Sequence, residues 1–397
     1  MKRTILLVSL FLAAGLLMAA LQGCKGPEGP AGPPGESKIL QLEGFAADIN
    51  CGDCHNPDTD TTYYVWAKKY QWEESKHFFG GDFERNSSTC AGCHTTEGYV
   101  QRMKAGNPAM NTSGTWTVVT NHVDASPPGC FACHSPHSNG DFATRSATPV
   151  TLTSGVTGVA NATFDYGTGN LCVNCHQPRT VSPKPDPTKT ATTDTLTITS
   201  SRWYPHYGVQ SQMLMGTGGF QFPTYTYTGN SNHAANTAIK AKGCISCHMA
   251  DAAAGSGLAG GHTMNIEFEN TSGASAYLLN GCTASGCHSA TGFTVNYIGA
   301  SASLVPTGMG THTAVEAYLD TLWNLLGNKG WVDTVSTSSN FGLVKASSSS
   351  PLKIVPAVRG GALFNYYFVE HDLSKGSHNT KYAIELLKSS IAEVRKP

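Results

Sequence analysis

Cys51-Gly52-Asp53-Cys54-His55 opens a pattern that recurs as Cys90-Ala-Gly-Cys93-His94, Cys130-Phe-Ala-Cys133-His134, Cys172-Val-Asn-Cys175-His176 and Cys244-Ile-Ser-Cys247-His248. A stretched copy follows, Cys282-Thr-Ala-Ser-Gly-Cys287-His288. Cys-x-x-Cys-His is the attachment signature of a c-type haem: two thiols form thioethers with the vinyl groups and the adjacent imidazole reaches the iron from one face. With 13 Cys and 15 His in 397 residues, chance placement would give only roughly 0.02 matches. The six copies therefore predict six c-type haems. Their proximal iron ligands are His55, His94, His134, His176, His248 and His288.

Other uses of these cysteines fit less well. A disulfide inside Cys-x-x-Cys would be strained and would leave the recurrent histidine unexplained. Structural zinc needs four ligands from paired knuckles, and a thioredoxin-like site needs one Cys-x-x-Cys in a βαβ setting. In the sixth copy four residues separate the thiols, so the loop must bulge to bring both sulfurs to one porphyrin. Gly286, beside Cys287, supplies the backbone freedom. A haem is expected there too.

The N-terminus speaks to location. Met1-Lys-Arg precedes an apolar run from Thr4 to Ala20 and then Leu21-Gln-Gly-Cys24, which is a signal peptide over 1–23 rather than a membrane span, being short and ending in a processing site. Leu-x-Gly-Cys resembles a bacterial lipobox with Cys24 as the lipidated residue. Twelve of the 13 cysteines lie in the motifs, which leaves Cys24 alone. Four Gly-X-Y triplets follow over Gly26 to Ser37, a collagen-like period too short for a triple helix and better read as a polyproline spacer of ~37 Å. Residues 24–44 are thus read as a lipidated, Gly-Pro-rich tether. They lead to a hexahaem domain over 45–397, with a haem-attaching part at 45–290 and a helical part at 291–397. The expected location is the cell outer membrane, lipid-anchored and surface-exposed, or otherwise secreted or periplasmic.

Composition constrains the fold. Charged residues make up 13%, with 43 Gly and 20 Pro, against about a quarter charged in an ordinary domain. The expectation is mostly irregular coil with scattered α-helices and minor β, packed around a chain of haems, with the core supplied largely by porphyrins. Loss of Lys2 and Arg3 with the leader takes the formal charge from −1 to −3, and ferric haems with ionised propionates bring it to about −9. Nucleic acid is excluded as a partner; cationic partners or mineral surfaces suit the charge.

Motif starts are separated by 39, 40, 42, 72 and 38 residues, a cofactor rhythm without sequence repeats between motifs. The long interval holds the Thr-rich, strand-like stretch from Thr190 to Ser201 and a Gly-rich segment at Gly216 to Gly219, read as loop with a short hairpin. Helices are predicted from Tyr63 to Phe78, Thr313 to Leu326, Phe364 to Val369 and Lys381 to Val394.

Nine histidines lie outside the motifs: His77, His122, His137, His206, His233, His262, His312, His371 and His378. Six haems need six distal ligands, so supply exceeds demand. An iron held by two imidazoles has no open position and can only pass electrons. His312, opening a helix, and His371, on another, are read as surface or core residues.

WEESKHFF before the second motif, RWYPHYGVQSQMLMGTGGF, SNHAANTAIKAKGCISCHM, AGGHTMNI and EHDLSKGSHNTKYAIELL resemble the distal-ligand segments of multihaem c-type cytochromes from metal-respiring bacteria. The C-terminal helices are similar to those of the pentahaem nitrite reductase lineage. The resemblance spans most of 50–395. It implies His77, His206, His233, His262 and His378 as distal ligands. The sixth is His122 or His137: Cys133-His-Ser-Pro-His137 resembles a pattern whose second histidine serves a neighbouring haem, while His122 lies eight residues before Cys130.

The expected function is electron transfer through six low-spin bis-His haems to other cytochromes or extracellular metal-oxide acceptors, with a homo-oligomer or filament as a variant assembly. The alternative is a reductase of nitrite, hydroxylamine or a sulfur oxyanion. Such enzymes usually mark the active haem by a changed proximal residue or a missing distal ligand, and all six proximal residues here are His. No catalytic residue is assigned.

Overall fold

The longest regular elements are three helices near the C-terminus, Thr311–Asn328, Gly360–Glu370 and Thr380–Arg395. In the first, Thr311, Val315, Leu322 and Leu326 are buried at four- and seven-residue spacings, the stripe of a helix with one face on a core. Asn296 starts it by accepting from the backbone N–H of Thr313 at 3.1 Å, and Gly330 at φ +70° follows its end. The second helix is buried at nearly every position, as befits an element enclosed on all sides. A Cβ on Gly361 would meet the Phe220 ring at 2.1 Å, so only glycine permits that approach. The third is capped by Asn379, whose side chain accepts from Tyr382 N–H at 3.2 Å.

The computed structural model describes residues 51–397 apart from 81, 112–115, 230, 252–256, 271, 285 and 300–301, and the described part belongs to one unit, Phe45–Pro397. The signal peptide, Cys24 and the tether lie outside the described residues. Among those described, no helix is long and apolar enough to cross a membrane.

The three helices share one apolar core with Val181, Ile198, Trp203, Met213, Phe220 and Phe222 from the long inter-motif interval. Asn365 stitches the two together, accepting from Phe220 N–H at 2.7 Å and donating to its carbonyl at 2.8 Å. The C-terminal third thus carries an apolar protein core of its own.

Among the described residues sheet is minor, as three two-stranded ribbons. Val150–Leu152 pairs with Ala162–Phe164, and Glu267–Glu269 with Ser275–Tyr277, as local hairpins. The Thr-rich stretch does form a strand, Leu196–Ile198. It forms no hairpin of its own but pairs antiparallel with Leu352–Ile354, with Leu196 opposite Ile354 and Ile198 opposite Leu352. Alternate burial of Leu196 and Ile198 shows why the residues read as a strand; a partner more than 150 positions away leaves no local trace. Scattered helices and little sheet agree with the fold class expected.

The helix expected from Tyr63 to Phe78 is two helices, Val65–Glu73 and Lys76–Phe79. The Asp60 carboxylate takes the N–H groups of Tyr63, Tyr64 and Val65 at 2.8, 2.9 and 2.6 Å, which delays the start. Ser75 breaks the chain direction by donating to Trp72 O at 2.6 Å and accepting from Phe78 N–H at 3.3 Å. His77 therefore rides a separate turn.

Candidate haem sites

Each Cys-x-x-Cys-His segment folds as a single turn. The histidine N–H donates to the carbonyl of the first cysteine, at 2.8 Å in His55, 3.2 Å in His94, 2.8 Å in His134, 3.0 Å in His176 and 3.0 Å in His248. In the stretched motif His288 N–H donates to Cys282 O at 3.0 Å, although two more residues intervene. Gly286 at φ +82° takes up the excess. The sixth segment thus presents its first cysteine and its histidine through the same hydrogen bond as the other five.

Every motif histidine faces a second imidazole. Ring centres are 6.2 Å apart for His55 and His137, 6.1 Å for His94 and His206, and 6.3 Å for His134 and His262. The other pairs are His176 with His77 at 6.1 Å, His248 with His378 at 6.3 Å, and His288 with His233 at 6.0 Å. Imidazole bonds a transition metal at ~2.0 Å, and each ring centre lies ~1 Å behind its nitrogen, so two rings on one iron sit ~6 Å apart. All six spacings match that value. Among the described residues no three His, Cys, Asp or Glu form a group that could hold a metal ion.

The nine candidates separate cleanly. His77, His137, His206, His233, His262 and His378 each face a motif histidine, and of the two candidates left open in the sequence it is His137 that faces one. His122 faces none. Its Nε2 is hydrogen-bonded to Gln101 Oε1 at 3.0 Å and its N–H to Asn86 O at 2.9 Å. His312 bonds Ser377 Oγ at 2.8 Å. His371, at the end of its helix, is buried; its Nδ1 donates to Pro205 O at 2.8 Å and Tyr207 stacks on it at 3.9 Å. It thereby fixes the backbone just before His206.

Partners on the far side of each ring orient it. Nδ1 of His248 donates to Met264 O at 2.9 Å, that of His134 to Ala143 O at 3.3 Å, and that of His176 to Gln210 Oε1 at 3.4 Å. His378 differs: its Nδ1 donates to the Asp372 carboxylate at 2.7 Å. Burial pushes His77, His206 and His262 down to about 4, which keeps their imidazoles neutral and available to a metal. Burial also disfavours the charged form of His378, but Asp372 outweighs it and the net displacement is upward.

The thiols lie against one another across motifs. Cys93 Sγ lies 3.8 Å from Asn174 O and 4.0 Å from Cys175 O, and the Cys93 and Cys175 thiols are close enough to act on one another, as are those of Cys172 and Cys244. Ala132 and Cys133 pack with Leu171 and Cys175, and burial pushes the Cys133 thiol up to about 12. Cys247, raised to about 11 by burial, feels Cys282 and Cys287. A Cβ on Gly169 would meet Gly243 Cα at 2.7 Å, so the chains entering the fourth and fifth motifs cross in backbone contact. The fourth motif accordingly touches the second, third and fifth, and the fifth touches the sixth. The first joins through His137, which lies three residues past His134.

Two residues that sequence reasoning passed over complete the site. Asp372 is one. Arg102 is the other: it is fully buried, its guanidinium lies 4.5 Å from the Trp116 ring, Nη2 donates to Asn174 O at 2.9 Å, and Nη1 lies 3.6 Å from Cys93 Sγ. Its Nε has no hydrogen-bond partner among the described residues. Neither stands at a spacing that carries a signal.

No family model matches the chain, and no curated protein matches it. Among solved structures, the crystal structure of the outer cell wall cytochrome OcwA is similar to it, with a TM-score of 0.44 and 16% identity over 83% of this chain and 50% of that one. The chain thus spans half the length of that protein.

Proposed function

We propose that the chain is a multihaem c-type cytochrome that transfers electrons through six covalently bound bis-histidine haems. The observation that carries this reading is the set of six facing imidazole pairs, each joining an attachment motif to one further histidine at 6.0–6.3 Å. Haem would supply one-electron iron chemistry; the motif cysteines would attach it and the paired histidines would hold and orient it.

Adjacency of the thiols supports an order. The attachment segments run first, third, fourth, fifth, sixth, with the second joined at the fourth. Cys51 and Cys287, at the two ends of that line, are exposed, as is Cys130 of the third motif, whereas both cysteines of the fourth and fifth motifs are more enclosed. Electrons would enter and leave at the ends, with the second motif as a side branch. Partner cytochromes or extracellular metal oxides are the proposed exchange partners. An outer-membrane lipid anchor at Cys24 and a surface location go with that role, and assembly of copies into an oligomer would extend the same line.

A reductase of nitrite, hydroxylamine or a sulfur oxyanion needs an open iron position, and all six pairs are complete. The test is to reduce the purified protein and mix it with ferric oxide, nitrite or hydroxylamine. Reoxidation by the mineral, with no cyanide-sensitive turnover of the small molecules, is expected. Rapid cyanide binding with sustained nitrite consumption would replace electron transfer with catalysis.

A further inference from the structure

Asp372 is 2% exposed, and among the described residues no lysine or arginine is paired with it. Its Oδ1 accepts from His378 Nδ1 at 2.7 Å, and its Oδ2 accepts from Ser374 Oγ. The Ser374 hydroxyl in turn accepts from His378 N–H at 3.2 Å. The carboxylate and the serine thus hold one imidazole from two sides. Among the paired imidazoles, the ring nitrogens of His248, His134 and His176 donate instead to neutral oxygens, Met264 O, Ala143 O and Gln210 Oε1; another carboxylate contact, Glu370 on His371 at 3.1 Å, is on a histidine that faces no motif. A carboxylate strengthens the basicity of the imidazole it accepts from and places a fixed negative charge behind it. Both effects favour the more positive iron.

We propose that Asp372 is a positioning residue that makes the centre between His248 and His378 the lowest in potential of the six. The inference rests on the ligand reading of that pair. By the adjacency of the thiols this centre stands between the fourth and sixth attachment segments.

The experiment is a spectroelectrochemical titration of the full holoprotein and of Asp372→Asn, with the low-spin spectrum recorded for each. Asparagine keeps the size and an accepting oxygen but removes the charge. The lowest wave is expected to move to more positive potential while the other five stay in place and all six haems remain low-spin. A lowest wave that does not move, or six waves that move together, overturns the proposal. Ser374→Ala serves as the second variant: with one donor gone from the carboxylate, the same wave is expected to move the opposite way, and a positive shift would count against the idea. His378→Met separates the two layers. If it leaves every spectral and redox signature unchanged, the ligand reading itself has failed; if it alters one centre while Asp372→Asn alters none, only the role of Asp372 has.

Discussion

Replacing His137 by alanine removes one imidazole from a gap whose width is known. The rings of His55 and His137 are centred 6.2 Å apart. Subtracting ~1 Å for each ring leaves ~4 Å between nitrogens, which one iron with two ~2.0 Å bonds fills. No second imidazole stands ready to take the place. The nearest ring to His137 besides His55 is Phe131 at 5.3 Å, which has no donor atom. His122 is held by Gln101 at 3.0 Å and by the Asn86 carbonyl. In His137→Ala one centre in six should therefore become high-spin, while His122→Ala should keep all six low-spin and lose only a hydrogen bond worth ~1 kcal/mol. Magnetic circular dichroism of the oxidised proteins, with high-spin intensity integrated against total haem, reads the difference. A fully low-spin His137→Ala, or one sixth high-spin haem in His122→Ala, would refute the pairing.

Gly286 holds φ +82° with no atom near its Cβ position, so Gly286→Val strains the backbone without a clash. Intact mass should then show a population lighter by one haem. Arg102 puts a buried positive charge beside Cys93, and Arg102→Met is expected to lower the potential of the centres on the second and fourth motifs. Unchanged waves would dismiss that role. Burial holds His77, His206 and His262 near 4, well below the ordinary 6.5. Their neutral form is therefore kept as pH falls through the unfolded value and is lost only around the folded one. Visible spectra recorded from pH 8 downward should keep the three centres that carry these histidines, half of the six, low-spin to about 4; loss of more than half of the low-spin haem above pH 5 would contradict this. Leu322 is fully buried in the helical core, and Leu322→Ala should cost ~2–5 kcal/mol, seen as a lower Tm with the haem spectrum intact at room temperature.

Motifs and helical stripes were legible because both are local. Thr311–Asn328 and Thr380–Arg395 exceed the sequence expectation by a residue or two at each end, where Asn296 and Asn379 act as caps. The break at Ser75 was hidden because aromatic residues run through it, and the decision lies in where one hydroxyl bonds. Pairing of Leu196–Ile198 with Leu352–Ile354 is a long-range choice that neither strand announces. His137 and His122 could not be told apart from sequence, since each lies close to the third motif and only the fold turns one toward His55. Asp372 sits inside a quoted segment, yet its meaning depends on a turn through Ser374 that brings it back onto His378.

The measurement that bears most directly on the central claim is a joint count on the purified ferric protein: haem per chain from intact mass and the haemochrome spectrum, and spin state from electron paramagnetic resonance. Six haems per chain, every one low-spin with two imidazole ligands, is the predicted result. Fewer than six, or any stoichiometric high-spin signal in the resting protein, would contradict it.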